Sequence, residues 1–125
     1  MQPLSYDPQN IFARILRGEI PCKKVFEDDH VLAFNDINPQ TPTHVLVIPK
    51  GAYVSFDDFS ARAPAEEIAA FVRAAGQIAR DAGLAGPGYR VLSNIGQDGH
   101  QEVPHFHLHI FGGRPLGRMV PKGDN

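Results

Sequence analysis

Cysteine is nearly absent from this chain of 125 residues, where Cys22 stands alone. An intrachain disulfide is therefore impossible, and so is a zinc site built on four cysteines. Tryptophan is missing altogether. Neither sign of charge dominates: 12 Lys and Arg face 14 Asp and Glu, for a formal net charge of −2. That balance excludes a protein whose main task is non-specific binding of nucleic acid, though not one that holds a small anion in a local pocket. Long apolar runs are lacking as well. The longest unbroken aliphatic stretch is Val45 to Ile48, far short of the roughly 20 residues that cross a bilayer. No basic segment followed by an apolar one stands at Met1 to Tyr6, so no secretory signal or membrane partner is legible and a cytoplasmic location is expected. With 42% hydrophobic and 21% charged residues, residues 1–125 are expected to form one domain that buries about two-thirds of its surface without cross-links.

Periodicity and punctuation predict a short helix, three strands, a long helix and two strands. Asp7-Pro8 reads as an N-cap followed by proline at the first helical position, opening a helix over about 8–17 that Gly18 stops. Residues 22–27 and 30–37 read as a hairpin around Asp28-Asp29. Residues 43–49 read as a strand apolar enough to be covered on both faces. Ile68, Phe71, Val72, Ala75, Ile78, Ala79 and Ala82 trace one helical stripe within 63–82, with Gly83 at its C-terminal end. Residues 89–94 and 105–111 complete the strands, joined by the polar loop 95–104, and the last dozen residues read as a tail. One long helix among hairpins favours an α+β fold with an antiparallel sheet.

What is present in excess is histidine. Of six, four fall between residues 100 and 109. In His105-Phe106-His107-Leu108-His109-Ile110-Phe111, side chains of a strand alternate, so the three imidazoles share one face and Phe106, Leu108 and Ile110 the other. The apolar face belongs against a core, and the histidine face is expected to be wet or to face a ligand. Same-face neighbours on a strand lie about 6.7 Å apart, and i to i+4 about 13 Å. Bonds of about 2.0–2.1 Å to zinc cannot join all three to one ion, so a metal explains two histidines and leaves one idle. A phosphate can be contacted from several positions along a strand, and imidazole can attack phosphorus, donate to its oxygens and pass protons near neutral pH. No metal and no cofactor are expected.

The segment resembles the signature of the histidine triad superfamily of nucleotide hydrolases and transferases, His-x-His-x-His followed by two apolar residues. The resemblance to its nucleotide-binding branch extends through Asn10-Ile11-Phe12 to Glu19-Ile20-Pro21, Phe26 to Asp29, Leu32 to Ile37, Pro39 to Lys50 and Gly112-Gly113-Arg114. It covers nearly everything from about residue 9 to 114 and leaves 115–125 as a C-terminal tail. It implies a five-stranded antiparallel sheet with two helices, and a homodimer whose sheets join. It also implies a hydrolase that cleaves P–N bonds of purine nucleoside 5′-phosphoramidates through a nucleotidyl-histidine. By this match His107 is the nucleophile and His109 contacts the scissile phosphate and leaving atom. His105 positions the ring of His107 in a network that includes His44. Asp36 binds the ribose hydroxyls; Ile11, Phe12, Ile15, Ile20, Phe34 and Ile37 form the base pocket; Asn94, Gln101 and Glu102 lie by the phosphate or ribose.

Bland roles compete at several of these positions. Asp36 also suits an Asn-Pro turn, Phe12 and Ile15 suit plain helix packing, and His44 suits a core histidine. The chain departs from its relatives at Glu102, where a serine is common, at His100, where glycine is common, and at Asn35, a histidine in some relatives. A carboxylate at 102 either repels phosphate or meets a cationic leaving amine. A dinucleoside polyphosphate hydrolase and a non-catalytic nucleotide-binding dimer remain the alternatives.

Overall fold

The computed structural model describes residues 5–120. Its elements in order are α1 (Ile11–Leu16), β1 (Lys24–Glu27), β2 (Val31–Asn35), β3 (Thr43–Pro49), α2 (Phe56–Arg62), α3 (Ala65–Asp81), β4 (Arg90–Leu92) and β5 (Leu108–Gly112). The five strands form one sheet in the order β1-β2-β3-β5-β4, and every pairing is antiparallel. The α+β class and the antiparallel sheet are therefore as expected.

Local chemistry moves several boundaries. Asp7 does not cap α1. Its carbonyl accepts from the Asn10 backbone and side-chain amides, forming a turn, and Asn10 caps the helix through the Ala13 N–H at 2.9 Å. Gly18, at φ +81°, ends the segment in the left-handed region. A third helix, α2, was not expected. Ser55 and Asp58 close a capping box around its first turn, satisfying donors that a free helix end leaves open. The hairpin turn is held by the Asp28 Oδ1, which accepts from the N–H groups of His30 and Val31 at 2.8 Å each. Of the tail, residues 115–120 carry no helix or strand. The Arg90 Nη2 donates to the Gly117 carbonyl at 2.7 Å, strapping this stretch to β4. Residues 121–125 lie outside the described residues.

β3 sits at the centre, buried from His44 to Pro49. One face packs Val45, Val47, Ala33 and Ile110 against Phe71, Ala75 and Ile78 of α3 and Phe59 of α2. The other packs Leu32, Phe34, Leu46 and Ile48 against Phe12 of α1. Phe106 and Ile110 are buried on the α3 side, as the alternation predicts. The odd-numbered histidines point to the α1 side. No described helix is long and apolar enough to cross a membrane.

β5 begins later than the periodicity suggests, at Leu108 instead of residue 105. Pro104 has no N–H to give, and the Phe106 N–H goes to the Tyr53 carbonyl at 2.8 Å. The His105 carbonyl is taken by a side chain. Residues 105–107 thus leave the ladder while keeping their alternation.

Gly113 closes β5 at φ +98°, and a Cβ there would lie 2.8 Å from the Cβ of Pro42. Gly113→Ala should therefore destabilise the fold by about 1–3 kcal/mol, through left-handed strain and the clash together. Urea unfolding measures it as a lower midpoint at constant slope; an unshifted midpoint would mean that the Pro42 turn yields freely.

Candidate active site

His107 is the side chain on which the site turns. Its Nδ1 lies 2.7 Å from the backbone carbonyl of His105. A carbonyl only accepts, so Nδ1 carries the proton and Nε2 keeps its lone pair. Nε2 has no partner among the described residues, yet no buried side-chain nitrogen or oxygen among them lacks one. It therefore opens onto the cavity that His107 lines. The Ser93 hydroxyl donates to the His107 carbonyl at 2.7 Å, and the Phe12 ring meets the imidazole edge-on at 4.9 Å between centroids.

The ring of His105 is not wet, as the strand pattern suggested, but fully buried. It is also not a hydrogen-bond partner of the His107 ring. Its Nε2 donates to the Pro49 carbonyl at 2.8 Å, so its Nδ1 accepts from the Tyr6 hydroxyl at 2.6 Å. His105 acts on His107 through its backbone carbonyl. Tyr6, Ser93 and Pro49 had no signal in the sequence, since each partner lies many residues away.

His44 is coupled to His109 and not to His105. The Gln40 N–H donates to the His44 Nδ1 at 3.2 Å. The His44 Nε2 thus carries a proton and gives it to the His109 Nδ1 at 3.0 Å. That leaves His109 with its own proton on Nε2. The Asp36 Oδ2 approaches the His44 Nε2 at 3.4 Å, while its Oδ1 accepts from the Asn38 N–H at 2.8 Å. The rings of His107 and His109 lie 5.1 Å apart. Side by side stand one imidazole with a free lone pair and one with a free N–H.

One atom each of Asp36, His44 and His109 lies within 4.8 Å of the other two. Strand spacing alone did not bring Asp36 and His44 into a metal argument. The Asp36 Oδ2 and the His109 Nδ1 both already approach the His44 Nε2, and freeing that Nε2 would move its proton to Nδ1 and cost the Gln40 contact.

The cavity has a volume of about 680 Å³. Ile11, Phe12, Ile15, Ile20, Phe34 and Ile37 form an apolar wall, and Asp36, Asn94, Glu102, His107 and His109 supply polar groups. Ile37 is 90% exposed and Ile11 46%, so part of that wall is open to solvent. His44 and His105 stand behind the lining. Gln101 does not face the cavity: its amide is spent on the carbonyls of Val54 and Val103 and on the Gly96 N–H, bracing the loop.

Burial governs the charge state. It holds His105 down to about 4 against the support of the Pro49 carbonyl. His109 is also held at about 4, by burial and then by its neighbours His107 and His44. Burial lowers His107, opposed by its bond to the His105 carbonyl and by the charges of Asp36 and Glu102. It lowers His44 too, against Asp36. The imidazoles are neutral at neutral pH.

An unfolded imidazole titrates near 6.5. Between pH 6.5 and 4 the unfolded chain binds a proton at residue 105 that the folded chain refuses. Stability should thus be highest above about pH 6.5 and fall by about 3 kcal/mol towards pH 4 on account of His105 alone. Urea unfolding at pH 7.5 and 4.5 checks this, and the slope should shrink in His105→Gln. A stability flat across that window would overturn the burial argument.

A model of the HIT domain matches residues 17–116. An uncharacterized 13.2 kDa HIT-like protein of Azospirillum brasilense is 69% identical, over 95% of this chain and 98% of its own. The purine nucleoside phosphoramidase of Escherichia coli K12 is 44% identical, over 90% of this chain and 93% of its own. The crystal structure of a HIT family hydrolase from Legionella pneumophila superposes with a TM-score of 0.75 at 43% identity, over 84% of this chain and 93% of that one. The neighbouring lone pair and N–H of His107 and His109 thus sit in a chain that belongs to the HIT domain family of hydrolases.

Proposed function

We propose that this hydrolase cleaves the P–N bond of purine nucleoside 5′-phosphoramidates through a nucleotide held transiently on His107. The observation that carries the reading is the His107 Nδ1–H bond to the His105 carbonyl, which aims an unprotonated Nε2 into the cavity. The purine lies against Ile11, Ile15, Ile20 and Ile37, with Phe12 and Phe34 behind them. The ribose hydroxyls donate to Asp36, and Asn94 supports the phosphate.

In the first step the Nε2 lone pair bonds to phosphorus while the bond from phosphorus to the amine nitrogen breaks. The electron pair leaves with the nitrogen, which takes a proton from solvent while the His109 Nε2–H hydrogen-bonds to it. In the second step water attacks phosphorus, the bond to Nε2 breaks, and the water returns one proton to solvent. The imidazole that leaves is neutral again. Imidazole supplies the nucleophile, so no metal-activated water enters the scheme. The relative named purine nucleoside phosphoramidase at 44% identity supports this substrate class over a dinucleoside polyphosphate.

His107→Ala should lower turnover of an adenosine phosphoramidate by about three orders of magnitude or more, because it removes the covalent step. AMP affinity should fall far less, since Asp36 and the apolar wall remain. Rapid quench with radiolabelled substrate should trap label at His107 and at neither His105 nor His109, and chelator should leave the rate unchanged. Label elsewhere, or near-normal turnover by the variant, would sink the assignment.

We also propose that residues 1–125 act as one domain within a homodimer. β4 is an edge strand, and Val91 on it, Tyr89 just before it and Val72 on α3 are 48%, 40% and 63% exposed. An unpaired edge with exposed apolar side chains suits a self-complementary two-fold contact. Light scattering at micromolar concentration should give twice the chain mass; the single mass would refute the dimer.

A further inference from the structure

The cavity carries an unusual charge for a site that takes a phosphate. Among the described residues its lining contains two carboxylates, Asp36 and Glu102, one lysine, Lys23, and no arginine. A phosphate there meets N–H groups and neutral rings, not a cluster of cations. Glu102 is the less committed of the two acids. Its side chain is 77% exposed, and its one partner among the described residues is the still more exposed His100, whose Nε2 lies 3.1 Å from Oε1. Asp36 by contrast is engaged by the Asn38 N–H and His44. His100 holds the loop with a left-handed backbone, φ +60°, two residues before Glu102.

The loop between β4 and β5 brings Asn94, His100 and Glu102 to the rim beside His107. A nucleoside seated on the apolar wall with its ribose at Asp36 puts its phosphate at His107. Whatever is attached beyond the phosphate then runs along this loop. We infer that Glu102 is a specificity-determining residue, selecting substrates with a single phosphate and a leaving amine whose far end is cationic, and disfavouring anionic arms and further phosphates. The inference rests on the phosphoramidate reading above and names its substrate class.

The physical basis is one exposed charge at close range. An exposed ion pair is worth a factor of about two to five, and a like-charged pair costs a similar factor. Both weaken as salt screens them. A neutral side chain at this position would leave that part of the rim without charge, so the preference is carried by the Glu102 carboxylate.

The test uses three adenosine 5′-phosphoramidates of matched length, made from ethylenediamine, propylamine and β-alanine. Their far ends are cationic, neutral and anionic. kcat/KM is measured for each with the native chain and with Glu102→Gln, and compared between the two proteins compound by compound, so that intrinsic leaving-group reactivity cancels. Relative to Glu102→Gln, the native chain should favour the cationic arm by about two- to fivefold and disfavour the anionic arm by about the same factor. The spread should narrow when salt rises from 20 to 500 mM. Equal ratios for all three arms, or a charge preference that survives in Glu102→Gln, overturns the role of Glu102. Turnover of none of the three by the native chain would refute the phosphoramidate reading instead. Binding then decides the charge inference: AMP monoesters bearing the same three arms should rank in Kd as cationic, neutral, anionic, and equal Kd values overturn it.

Discussion

The bond from the His107 Nδ1 to the His105 carbonyl at 2.7 Å sets a condition on everything around it. A carbonyl engaged by a side chain is lost to the sheet, so residues 105–107 have to be held in place by other means. Pro104 brings no donor. The Phe106 N–H reaches Tyr53, Ser93 takes the His107 carbonyl, and the His105 ring is pinned between Tyr6 and Pro49. The bonds to the Phe106 N–H and to the His105 and His107 carbonyls stand where a regular strand would have made ladder bonds, while the ring bonds of His105 anchor the segment by its side chain. Between them they satisfy the groups whose burial would otherwise cost about 1–3 kcal/mol each.

The same packing decides protonation. Four imidazoles on the α1 side, His44, His105, His107 and His109, are shielded enough that burial is the leading cause of the shift at each. Two directed chains then decide which nitrogen holds the single proton. One runs from Gln40 through His44 to His109. The other runs from Tyr6 through His105 to Pro49, with His107 hung from the backbone between. The result is a lone pair and an N–H side by side at the cavity, without any formal charge on the rings.

Much of this fold was legible in the chain. Alternation along 105–111 placed Phe106 and Ile110 in the core and the histidines opposite. The apolar character of 43–49 marked the central strand, and the stripe from Ile68 to Ala79 marked α3. Boundaries were less legible where a side chain outcompeted the backbone, as at Asn10, which caps α1 in place of Asp7. α2 carries its signal openly in Ser55-Phe56-Asp57-Asp58, but it is too short for a hydrophobic period. The site was legible as a set of residues and not as a wiring. Histidines two apart suggested mutual contacts, whereas the bonds run to Tyr6, Pro49, Ser93 and Gln40, whose proximity only the topology creates. Gln101 has the chemistry of a ligand-binding residue, and the loop spends all of it internally.

A neutral set of imidazoles flanked by carboxylates separates affinity from selection. Covering about 100 Å² of the open apolar wall, where Ile11 and Ile37 stand exposed, with a purine is worth about 2.5 kcal/mol. The repulsion between a phosphate and one exposed carboxylate is at most about 1 kcal/mol. On the proposed reading the base term exceeds the charge term, so the rim acid would lower nucleotide affinity without abolishing it. The base is common to all purine nucleotides and cannot tell one from another beyond the phosphate. The smaller term is the one that varies with what the phosphate carries. On the proposed reading, discrimination among leaving groups falls to the rim, where the loop between β4 and β5 brings Glu102 and His100 to the cavity.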